Sequence, residues 1–100
     1  MKIVISGTQS ERMVERMVEI IRRIVSAMDF EGGVKDFEVY PPDFEDDSPT
    51  YDIMLNLNYD WIQENEFHTQ QYLRNVRAGV KDKVMKLTGL KNIYVGTTMK

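Results

Sequence analysis

The feature that most constrains this chain is a stretch of helical periodicity over residues 8–28. Its apolar positions are Met13, Val14, Met17, Val18, Ile20, Ile21, Ile24, Val25 and Met28. At 100° per residue they form one broad face, while Arg12, Glu15, Arg16, Glu19, Arg22, Arg23 and Ser26 occupy the other. A helix of this kind must bury one side, so the remaining segments are expected to assemble a layer against it. Thr8 is placed to N-cap the helix, with Glu11 completing a capping box.

Around this helix the chain reads as four strands and a second helix. Lys2-Ile3-Val4-Ile5-Ser6, ended by Gly7, is short and β-branched and predicts a buried strand over 2–6. Gly32 and Gly33 close the first helix, and residues 34–40 alternate as a strand that Pro41 and Pro42 stop. Tyr51, Ile53, Leu55, Leu57 and Tyr59 alternate with polar residues over 51–59, the clearest strand pattern in the chain. Residues 60–64 read as an irregular turn. A second helix is expected from residue 65 or 66 to residue 88 on the stripe Leu73, Val76, Val80, Val84, Leu87, with Gly89 as its left-handed cap. A last strand follows at 92–96, with a tail beyond it.

The order βαββαβ in one domain of 100 residues predicts a ferredoxin-like α+β sandwich. Its sheet would have four antiparallel strands in the order 4-1-3-2, with two helices on one face. This architecture hosts unrelated activities, so function has to be argued from side chains.

Composition excludes several chemistries. The chain has no cysteine, hence no disulfide or thiolate site, and its single histidine, His68, rules out a multi-imidazole metal centre within one chain. Ile5-Ser6-Gly7-Thr8-Gln9-Ser10 opens like a phosphate-binding loop, but Glu11, Arg12 and Met13 stand where such a loop carries Gly-Lys-Ser/Thr. Gly7, Thr8 and Ser10 remain candidates for a small-anion site at a helix start. No catalytic constellation is visible, and neither a cofactor nor a metal is expected. Without a signal-like or membrane-length apolar run, a cytoplasmic, soluble protein is expected.

Charge is polarised. Residues 36–73 hold ten acids and no Lys or Arg, whereas Arg74, Arg77, Lys81, Lys83, Lys86, Lys91 and Lys100 face only Asp82. The acidic stretch includes a loop, 41–50, that contains all three prolines. Asp43, Phe44, Glu45, Asp46 and Asp47 at its tip are candidates for docking a basic protein surface. Arg74, Arg77 and Lys81 lie within about 60° of one another on the second helix, where they are candidates for phosphate contacts, although no aromatic base-stacking motif accompanies them. Strand parity places Val4, Met54 and Tyr94 together on the sheet face opposite the helices, an expected surface for homo-oligomerisation. The leading expectation is therefore a non-enzymatic protein-interaction module that also self-associates. A regulatory anion-binding domain and a nucleic-acid binder are the alternatives.

Overall fold

A computed structural model describes residues 3–65 and 69–99, with side chains described for 11–65 and 70–99. Six elements follow one another: α1 (Ile3–Ser26), β1 (Val34–Tyr40), β2 (Tyr51–Leu57), α2 (Tyr59–Glu64), α3 (Thr69–Thr88) and β3 (Ile93–Met99). His68 and the start of the expected second helix lie outside the described residues.

The three strands form one mixed sheet in the order β1-β2-β3. β1 pairs with β2 antiparallel, and Lys35 is the extra residue of a bulge between Val34 and Asp36. β2 pairs with β3 in parallel, from Tyr51 opposite Ile93 to Leu57 opposite Met99. The connection between these two strands carries α2 and α3, since a parallel pair needs a crossover rather than a tight turn.

This arrangement overturns the ferredoxin-like expectation of a four-stranded antiparallel sheet. Residues 3–6 belong to α1 instead of forming a strand. A short β-branched run next to a helical pattern satisfies both periods, so spacing alone does not separate a first strand from a first helical turn. In the expected order the first strand would sit between 51–57 and the last strand. Here those two pair directly along seven residues, and no place is left between them. The helix start moves with the strand: Thr8 lies within α1 and is not its N-cap.

Two further boundaries differ. Residues 59–64 form α2, not an irregular turn, because the Asn58 side chain accepts the Trp61 N–H and caps a helix there. The last strand runs through Thr97 and Thr98 to Met99, where β-branched residues continue the ladder. Gly89 takes φ +77° and its N–H bonds the Met85 carbonyl at 2.9 Å, closing α3 as its position predicts.

α1 packs over β1 and α3 over β3, and the two helices touch each other. Between them and the sheet lies a core of Val18, Ile21 and Val25 from α1, Val39, Ile53, Leu55, Ile93 and Val95 from the strands, and Val80 and Val84 from α3. A smaller cluster of Leu57, Ile62 and Tyr72 closes the end near α2. There the Tyr72 hydroxyl donates to the Phe30 carbonyl at 2.5 Å and lies against Gly33, where a Cβ would overlap it. The Trp61 ring packs on Tyr72 with centroids 4.5 Å apart. Burial pushes the Tyr72 phenol up from its ordinary pKa, helped by the nearby carboxylates of Glu31 and Asp29.

Candidate interaction cleft

A hollow lies between the middle of α1 and the far end of β1. It is an open groove of about 730 Å³, lined by Glu11, Val14, Glu15, Val18, Glu19 and Arg22 of α1, by Val39, and by Pro41, Pro42 and Phe44 of the following loop. Helical spacing builds its two sides. Glu11, Glu15 and Glu19 recur every four residues and form a carboxylate row, while Val14 and Val18 form the apolar row beside it. The prolines make the opposite wall. They lack N–H groups, so the chain leaves the sheet after Tyr40 and turns back beside α1.

The acidic loop is organised by its own first carboxylate. Asp43 accepts the Glu45 N–H through its side chain at 3.0 Å and the Asp46 N–H through its carbonyl, also at 3.0 Å. That turn presents Phe44 at the mouth of the cleft, 67% exposed. Asp43, Glu45, Asp46 and Asp47 are all exposed. The loop is tied down at its other end, where Asn92 donates to the Pro49 carbonyl at 3.1 Å and accepts the Tyr51 N–H at 2.9 Å. Arg22, at the end of the row, pairs with Glu19 at 3.5 Å, and among the described residues no salt bridge joins Glu11 or Glu15 to a cation. The hollow is thus apolar within and negative around its rim.

The other candidate residues fall elsewhere. Met54 and Tyr94 do meet on the uncovered sheet face. A Cβ at Gly96 would lie 3.0 Å from the Met54 Sδ and 3.1 Å from the Tyr94 ring. Val4 belongs to α1, not to a strand of this sheet. On the same face Asn56 is buried on the central strand and donates to the Asp36 carboxylate, while its own Oδ1 is buried with no partner. Tyr40 donates to Glu38 at 2.8 Å, and that hydrogen bond raises the Tyr40 pKa. Gly7, Thr8 and Ser10 lie inside α1, not at a strand-to-helix turn, so the expected anion cradle of helix-initial N–H groups is absent at those positions. Arg74, Arg77 and Lys81 lie on α3, remote from the cleft residues in sequence and element.

Sequence reasoning found Phe44 and the loop acids but missed Glu11, Val14, Glu15, Val18, Pro41 and Pro42 as parts of the same hollow. The four-residue Glu spacing was a readable signal. Which neighbour that side of the helix meets is not local information. Among the described residues no three His, Asp or Glu side chains are placed to share a metal ion, and no helix is long and apolar enough to cross a membrane. The chain matches no family model, no curated protein and no solved structure, so what it does has to be read from these surfaces.

Proposed function

We propose that this chain is a non-enzymatic protein-interaction module whose cleft between α1 and the acidic loop receives a basic, amphipathic segment of a partner protein. The supporting observation is the pairing of an apolar floor (Val14, Val18, Val39, Pro42) with an acidic rim (Glu11, Glu15, and the carboxylates flanking Phe44). An incoming helix with apolar residues at positions i, i+3 and i+4 fills such a floor, and Lys or Arg on its flanks meets the rim. Phe44 is the expected anchor, since exposed aromatic residues beside a hollow contribute strongly when a partner covers them. The rim steers the encounter, so association should slow as salt rises.

A labelled Lys/Leu peptide with helical apolar spacing tests the reading by fluorescence anisotropy and amide-shift mapping. Shifts should concentrate at residues 11–22 and 39–47, and Phe44→Ala and Glu15→Lys should each weaken binding by about tenfold. Binding that is indifferent to both substitutions, or shifts centred elsewhere, rejects the cleft.

A second reading is self-association through the uncovered sheet face, supported by the convergence of Met54 and exposed Tyr94 over Gly96. Sedimentation of the parent and of Met54→Glu combined with Tyr94→Glu separates the two. A parent that remains monomeric at micromolar concentration rules this reading out and leaves the cleft untouched.

A further inference from the structure

The opposite edge of the sheet carries a different surface. β3 is an edge strand, and over Ile93–Met99 it holds no charge, no proline and no bulge. The Tyr51 N–H bonds the Asn92 carbonyl, which sets the parity of the parallel ladder. Asn92, Tyr94, Gly96 and Thr98 therefore turn their backbone groups toward β2, and Ile93, Val95, Thr97 and Met99 turn theirs outward. Among the described residues no strand lies beyond that row. Natural proteins usually blunt such an edge with charge, proline or irregularity, because it templates pairing.

The flank of this edge is basic. α3 lies over β3, and its Asn75, Val76 and Gly79 side lines a cleft with Met28 and Phe30 on the α1 side. By helical angle Arg74, Arg77 and Lys81 lie on the far side of α3, above the free edge. No carboxylate among the described residues pairs with them. They span about 10 Å along the helix, the distance covered by two or three same-face side chains of a strand.

We propose that the β3 edge binds an acidic, extended segment of a partner protein by strand addition. The partner's backbone pairs with the outward groups of Ile93, Val95, Thr97 and Met99. Its carboxylates, on the helix-facing side, meet Arg74, Arg77 and Lys81, and its other side chains adjoin Tyr94, which is 53% exposed. A second copy of this chain is the poorer occupant. Joining β3 to β3 about a two-fold axis brings two basic rows together, and its like charges oppose the contact. A nucleic acid would satisfy the cations but leave the backbone row unpaired.

The test uses the whole chain and a labelled alternating Val/Glu peptide, followed by anisotropy. Saturable binding is expected, with shifts at residues 93–99. Arg77→Glu combined with Lys81→Glu should weaken it by about tenfold or more, while Arg12→Glu combined with Arg16→Glu leaves it unchanged. The same peptide N-methylated at its ladder-facing amides keeps every charge and should not bind. Equal binding of the N-methylated peptide would reduce the contact to electrostatics and overturn strand addition. So would equal binding of a Val/Lys peptide, tighter binding of an oligothymidylate to the same residues, or a concentration-dependent dimer at β3 that excludes the peptide. Because none of these residues lines the α1 cleft, failure here is separable from failure there.

Discussion

The two edges of one three-stranded sheet have been finished in opposite ways. β1 carries Lys35, Asp36 and Glu38, a bulge at its start and two prolines at its end. Its foot is held where Tyr72 reaches across to Phe30 and Gly33. β3 has none of these features, and its outward backbone groups stand beside an uncommitted row of cations. Charge, irregularity and proline each raise the cost of adding a strand, so the backbone of β1 is the poorer template for pairing. β3 lacks all three. The lesson is that edge accessibility is written in which residues a strand lacks as much as in which it has.

The comparison assumes that both edges rest on one cooperative core. Ile53 sits at the centre of β2 with no solvent exposure, between the two. Ile53→Ala should therefore cost about 2–5 kcal/mol and loosen both edges together. Urea unfolding followed by hydrogen exchange will show whether amides of β1 and β3 lose protection in parallel. If only one edge responds, the two are separate cooperative units and the comparison is between two small structures, not two ends of one.

A smaller, one-sided effect is expected at the foot of β1. Gly33→Ala places a Cβ on the Tyr72 hydroxyl and should cost about 1–3 kcal/mol by overpacking. Faster exchange should then be confined to residues 30–37, with β3 unaffected.

Tyr72→Phe removes the hydrogen bond to Phe30 without adding volume and should cost about 1 kcal/mol at neutral pH. It also changes the alkaline limb of stability. The Tyr72 and Tyr51 phenols are both raised above the ordinary value of 10.0, chiefly by burial. Above that pH the unfolded chain loses phenol protons that the folded chain still holds, so stability is level below about pH 10, falls as pH rises from there through the folded values, and levels off above them. In Tyr72→Phe the fall should be shallower, with Tyr51 supplying what remains. Thermal unfolding at neutral pH and above pH 10 measures it.

The least costly substitution speaks most directly to the bare edge. Thr98→Lys places one charge on the uncovered face of β3 and should change stability by no more than about 0.5 kcal/mol. It should nevertheless delay aggregation on agitation, as a charge on an edge does elsewhere. An unchanged onset would mean that this edge is not where molecules join.

Much of the local structure was legible in the residues. The alternation of 34–40 and 51–57, the stripe of α3 except for Leu87, which is 58% exposed, and the cap at Gly89 follow from side-chain period and from the left-handed φ that glycine accepts. The amphipathic face of α1 was equally plain, although Met13 and Ile20, expected on it, are exposed, and so was the exposed aromatic residue among loop acids that became the lip of the cleft. Asn58, by contrast, was read as a strand residue although an asparagine before Tyr59-Asp60-Trp61 is a capping signal.

What the chain's residues determined alone, then, was which segments are helical or extended and which side of each is apolar, because those depend on torsional preference and spacing within a few residues. Tertiary structure decided the rest. Residues 3–6 join α1, β3 pairs with β2 in parallel, and the Glu11–Glu15 row comes to face Pro41 and Pro42. Each of those outcomes is a competition between contacts far apart in sequence, settled by which segments fill the space beside a strand, and no local pattern carries that information.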